Sequence, residues 1–143
     1  MRLYHEDTPV CGLCEWKLRE AHPYLQEWFR RVKIRHTSVH ISCAWRNAVD
    51  QEQAYNEGKS KAHYPNSPHN FMIGDKACSL ALDLFQIDAD GMARFSWKFY
   101  ELINKENIEN GDEITWGGNF KSLRDGPHFQ LSAKIAVPSA SVA

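Results

Sequence analysis

A carboxylate sits inside one of the most apolar stretches of this chain. Ser79-Leu80-Ala81-Leu82-Asp83-Leu84-Phe85-Gln86-Ile87 has the length and composition of a strand, and Asp83 interrupts it. Burying an ionised carboxylate is costly unless it is paired or holds a metal. Two arrangements are open. Either Asp83 points to a solvent face, sharing it with Ala81 and Phe85 while Leu82 and Leu84 fill the core, or it points at a buried partner.

The chain has 143 residues, which suits one domain with an ordinary core. Its 43% hydrophobic and 24% charged residues exclude a disordered or fibrous chain. With 17 Lys+Arg against 18 Asp+Glu, it lacks the basic balance of a nucleic-acid binder. No apolar run approaches the ~20 residues of a membrane span. Met1-Arg2-Leu3-Tyr4-His5-Glu6-Asp7 carries both charge signs and no apolar run, so no secretory signal is expected there. Cys11, Cys14, Cys43 and Cys78 are accordingly expected as reduced thiols. Cys11-Gly12-Leu13-Cys14 is a single CxxC without a second pair or a preceding strand. It is read as a helix-entry turn with buried thiols, ahead of a zinc or redox site.

The remaining pattern predicts an α+β chain with a small sheet. Residues 13–34 read as a helix that Pro23 kinks or splits. Residues 38–45 alternate as a strand, and Val49 to Glu57 form a helix that Gly58 closes. Residues 59–70 form a long polar loop. Asp88-Ala89-Asp90-Gly91 is a turn, without the further ligands of a calcium loop. Phe95 to Asn110 reads as a helix with Phe95, Phe99, Leu102, Ile103 and Ile108 on its apolar side. Ile114-Thr115-Trp116 and His128-Phe129-Gln130-Leu131 are short strands, and the tail from Val137 is expected to fray.

Two further segments could carry chemistry. Asp125-Gly126-Pro127-His128 sets an acid three residues before an imidazole, with Pro127 stiffening the turn. Ser67-Pro68-His69-Asn70 places a histidine in the long loop. Alone, each reads as an ordinary turn or a solvated histidine. Together with Asp83 they offer two His and one Asp for a metal, plus a spare carboxylate. Catalytic zinc takes three protein ligands and keeps a fourth position for water, and a free carboxylate can then act as general base and acid. His5, His22, His36, His40 and His63 lack such company and stay unassigned.

Three blocks stand in order along the chain. The first contains Trp45-Arg46-Asn47, Gln51-Glu52-Gln53-Ala54-Tyr55 and Gly58-Lys59-Ser60-Lys61. The second contains Ser67-Pro68-His69 and Ala81-Leu82-Asp83. The third contains Trp116-Gly117-Gly118 and Asp125-Gly126-Pro127-His128-Phe129-Gln130. Together they resemble peptidase family M15, the zinc D-Ala-D-Ala-metallopeptidase superfamily. The branch most alike is that of phage endolysins acting as L-alanyl-D-glutamate endopeptidases. The resemblance runs from about Trp45 to Leu131 and does not include the CxxC.

This resemblance implies a Hedgehog/DD-peptidase-like domain over residues 1–136, with a small antiparallel sheet flanked by helices. It implies Zn2+ held by His69, Asp83 and His128, and Asp125 as general acid/base. Arg46 would bind substrate and stabilise the oxyanion, and Trp116 would help wall the cleft. The implied substrate is a peptidoglycan stem peptide, cut by a monomer with no nucleic-acid partner and no membrane insertion. The enzyme would be made in a bacterial cytoplasm and reach the wall through a holin-type lesion. One departure is the spacing: 13 residues, 70 to 82, separate His69 from Asp83, where the family commonly has six. Asp75 lies near the family spacing, but its Gly74-Asp75-Lys76 setting is turn-like, so Asp83 is preferred. Two rival readings are a D,D-carboxypeptidase or dipeptidase of the same superfamily, and a non-catalytic zinc-binding wall or phage structural module.

Overall fold

Pro23 does not kink a helix; it starts one. In the structure, a computed structural model that describes residues 10–135, α1 spans Gly12–Leu18 and α2 spans Pro23–Arg35. The ring fixes φ for a first helical turn, where a missing N–H costs nothing. The His22 imidazole accepts the Tyr24 N–H at 3.0 Å and caps the new helix. The expected fraying tail and His5 lie outside the described residues.

The elements that follow are β1 (Val39–Cys43), α3 (Ala48–Asn56), a 3-10 turn (Pro68–Asn70), β2 (Met72–Ile73) and β3 (Lys76–Ala77). Next come β4 (Ala81–Ile87), β5 (Ala93–Arg94), α4 (Trp97–Asn110), β6 (Ile114–Trp116) and β7 (His128–Leu131). Gly58 follows α3 with φ of +76°, the left-handed region that its missing side chain permits. The long spacing between His69 and Asp83 is taken up largely by the β2–β3 hairpin. Asp75 sits exposed at its tip.

The main sheet is antiparallel, ordered β1-β4-β7-β6, with β5 pairing on β4. β4 is therefore central. Alternation sends Leu82 and Leu84 to one face, where both are fully buried with Ile41, Phe129, Trp28, Phe29, Tyr100 and Ile103. Two buried polar contacts lock this layer. The Trp28 indole N–H of α2 donates to Asn107 Oδ1 of α4 at 2.8 Å, and the Tyr100 hydroxyl donates to the Leu84 carbonyl at 2.7 Å. Asp83 and Phe85 take the opposite, more open face.

The predicted apolar side of α4 needs correction. Leu102 and Ile108 are 43% and 72% exposed, and Phe95 precedes the helix and is also exposed. The buried stripe is Phe99, Tyr100, Ile103 and Asn107. Trp28 satisfies the side-chain carbonyl of the buried Asn107, a pairing that hydropathy does not register, while the Asn107 Nδ2 has no hydrogen-bond partner. Among the described residues no helix is long and apolar enough to cross a membrane.

Because Leu84 fills the core directly behind the Asp83 face, Leu84→Ala should destabilise the protein by about 2–5 kcal/mol. Urea unfolding followed by tryptophan fluorescence would measure it.

Candidate metal centre

Asp83 is flanked on both sides of β4. Its register partners are Cys43 on β1 and His128 on β7. Paired residues of an antiparallel sheet share a face, so His128 is delivered to Asp83 by strand register alone. His69 arrives from the loop. Ser67 Oγ accepts the His69 N–H at 3.2 Å, while Asn70 Oδ1 accepts the Ser67 N–H at 2.9 Å. This capping box with Pro68 in the first turn makes the loop segment rigid.

The three side chains meet at one point. His69 Nε2 lies 3.2 Å from Asp83 Oδ1 and 3.3 Å from His128 Nδ1, and His128 Nδ1 lies 3.1 Å from Asp83 Oδ1. An ion bound tetrahedrally at 2.0–2.1 Å holds its ligand atoms about 3.3 Å apart. The outer nitrogens are tied elsewhere: His69 Nδ1 donates to the Ala44 carbonyl at 2.7 Å, and His128 Nε2 donates to Gln130 Oε1 at 2.7 Å. In the neutral imidazoles those bonds leave both inner nitrogens with lone pairs aimed at the carboxylate oxygen. Three converging acceptors need a cation between them.

The electrostatics agree. Burial alone would lower the His69 pKa, but the Asp83 carboxylate outweighs it and lifts the imidazole to about 10. Burial likewise acts to raise Asp83, and the two imidazoles hold it below the usual carboxylate range.

Asp125 and Arg46 flank this triangle. Ligand atoms of Asp83, Asp125 and His128 lie within 4.8 Å of one another. Burial first, and then repulsion from Asp83, raises the Asp125 pKa. Arg46 Nη2 stands 3.6 Å from Asp83 Oδ2, and its Nη1 donates to Gln51 Oε1 at 2.9 Å. Gln51 is fully buried at the hub of this corner, also binding Ser60, Ala62 and Asn70. A cleft of about 310 Å³ opens over the site, lined by Arg46, Lys59, Lys61, Asp125 and both histidines.

Trp116, expected on the cleft wall, lies instead beneath the 125–128 turn. It is 5% exposed, and its indole N–H donates to the Gly126 carbonyl at 2.7 Å. The two glycines after it allow close approach. A Cβ on Gly117 would fall 2.4 Å from the Asp125 carbonyl oxygen and 2.9 Å from His128 Cβ. The Asp125 N–H donates to the Gly117 carbonyl at 3.0 Å. The glycine pair is thus part of how Asp125 and His128 are aimed.

Sequence reasoning did not place Gln130 or Cys43 at the site. Gln130 lies two residues beyond His128 on one strand, so period-two alternation was an available signal. Cys43 Sγ is 3.7 Å from His69 Nδ1, the nitrogen turned away from Asp83, and only the register of β1 brings it there.

No family model matches this chain, and no curated protein matches it. Among solved structures, the fold is similar to that of the L-Ala D-Glu endopeptidase ChiX of Serratia marcescens. The TM-score is 0.65 at 27% sequence identity, covering 89% of this chain and 92% of that one.

Gly117→Ala should lower the melting temperature, because the clash is with backbone and costs about 1–3 kcal/mol. Gly12→Ala, where nothing lies within 4 Å of the added carbon, should leave the melt nearly unchanged. Equal losses in both variants would remove the close-packing argument.

Proposed function

We propose that this protein is a zinc-dependent peptidoglycan peptidase of the M15 type that hydrolyses a stem-peptide bond, the L-alanyl-D-glutamate bond. The observation that carries the reading is the His69–Asp83–His128 triangle, with ligand atoms 3.1–3.3 Å apart, at an open cleft beside a free carboxylate. The similarity to ChiX, an L-Ala D-Glu endopeptidase, supports the same substrate class.

His69, Asp83 and His128 would hold the zinc. When bound, the ion supplies Lewis acidity and makes water acidic enough to react near neutral pH. Asp125 accepts the proton of the attacking water, and its raised pKa suits a group that must later give the proton up. It then protonates the departing amine, which leaves poorly otherwise. Arg46, anchored by Gln51, turns its guanidinium toward the cleft and faces the oxygen that becomes negative. Trp116 and Gly117 keep the Asp125 turn in place. As an endolysin-type enzyme it would act on the wall after release through a membrane lesion.

One observation favours the D,D-carboxypeptidase reading. That substrate ends in a free carboxylate, and Lys59 and Lys61 supply exposed cations at the cleft. Digesting purified peptidoglycan and identifying the new termini separates the two. A new N-terminal D-glutamate residue supports the endopeptidase, and release of free D-alanine alone supports the carboxypeptidase.

Asp83→Ala should empty the triangle of zinc, whereas Asp75→Ala, altered at an exposed hairpin tip, should keep it. Metal analysis after dialysis checks both, and the reverse result would move the ligand into the hairpin.

Asp125→Asn should retain zinc and an unaltered melt while losing ~10²–10⁴ in turnover, the usual contribution of a general acid/base. Wild-type turnover in this variant would place the base elsewhere. Loss of zinc would make Asp125 a ligand.

A further inference from the structure

The CxxC turn is not alone. Cys11 Sγ lies 3.5 Å from His40 Nδ1, and Cys14 Sγ lies 3.4 Å from the same nitrogen. All three ligand atoms fall within 4.8 Å of one another. Both cysteines are free thiols. A tetrahedral ion with sulfur at about 2.3 Å and nitrogen at 2.0–2.1 Å sets S···N edges of about 3.5 Å. The observed edges match that spacing.

Burial pushes the Cys14 thiol up to about 11, and backbone donors and one cation act against that shift. The Cys14 N–H donates to Cys11 Sγ at 3.4 Å, and the Ile41 N–H donates to Cys14 Sγ at 3.3 Å. Hydrogen bonds to an ionised sulfur favour the charged form. Lys33 is 6% exposed, held by the carbonyls of Thr37 and Val39, and its charge acts on both sulfurs. That cation eases the repulsion between two adjacent thiolates. Cys14 is buried, while Cys11 and His40 are half-exposed, so solvent can complete a fourth coordination position.

We propose that Cys11, Cys14 and His40 form a second metal site, for a thiophilic divalent cation of the zinc class, which staples α1 to β1. Binding displaces the thiol protons to solvent and requires no oxidant. The sulfurs hold the start of α1, and His40 holds the middle of β1. The register partner of His40 on β4 is Phe85, two residues from Asp83. The site is thus structural, steadying the edge strand next to the His69–Asp83–His128 triangle. It does not depend on the peptidase reading. The CxxC does form the expected helix-entry turn with a buried thiol, and His40, which its sequence context left unassigned, stands beside it.

The test is cobalt substitution of the full chain. The ligands of the triangle are nitrogen and oxygen, so a thiolate-to-cobalt charge-transfer band in the near ultraviolet reports a cysteine, and Cys43, whose sulfur lies beside His69 and Asp83, is separated from Cys11 and Cys14 by substitution. Wild type should bind two equivalents of cobalt and show the band. Cys14→Ser should lose the band and one equivalent, and Cys43→Ala should keep both. A band that survives in Cys14→Ser but vanishes in Cys43→Ala would assign the thiolate to Cys43 and overturn the proposal. So would the absence of any band in wild type at saturating cobalt, or a Cys11–Cys14 disulfide in the protein as purified. If Cys14→Ser does not fold, the wild-type and Cys43→Ala spectra still decide.

Discussion

The interaction on which the rest depends is that of the Asp83 carboxylate with two imidazoles at the middle of a central strand. Asp83 Oδ1 is 3.2 Å from His69 and 3.1 Å from His128. An uncompensated carboxylate there would cost several kcal/mol, so β4 could not be a central strand without those partners. The two arrangements that the sequence left open turn out to be halves of one answer. Asp83 does leave the Leu82–Leu84 core face, yet the face it enters is closed over by His69, Arg46 and the turn bearing His128. Its side chain is 16% exposed, enough to meet solvent at one edge.

That arrangement explains why so much nearby structure is polar and tightly bonded. Gln51, Asn70, Ser67 and Ser79 are all buried, and each spends its hydrogen bonds on the backbone or side chains around His69 and Arg46. The Ala44 carbonyl accepts from both His69 and Ser79. Rigid outer partners of this kind keep ligand nitrogens oriented whether or not an ion is bound. On the far side, Gly117 and Trp116 do the same for the Asp125 turn by close contact and one indole hydrogen bond.

Different parts of the fold were legible to different degrees. Strands β1, β4, β6 and β7 follow from local alternation and β-branched or aromatic content, and all lie where the pattern places them. The two-residue strands β2, β3 and β5 carry no period to read. The buried face of α4 was misjudged because hydropathy ranks Ile108 above Asn107. The Trp28 partner that reverses that order lies 79 residues away.

The sequence by itself determined that Asp83 needed either a solvent face or partners, that His69, His128 and Asp125 had the chemistry to be such partners, and that the sheet was small and antiparallel. Those conclusions rest on residue type, short-range period and a resemblance across three blocks, all carried within single segments. Only the tertiary structure decided which groups meet. His128 reaches Asp83 through strand register across 45 residues, and His40 reaches the CxxC across 26 from Cys14. Strand register and the docking of α1 are set by how the whole core packs, so no local spacing encodes them.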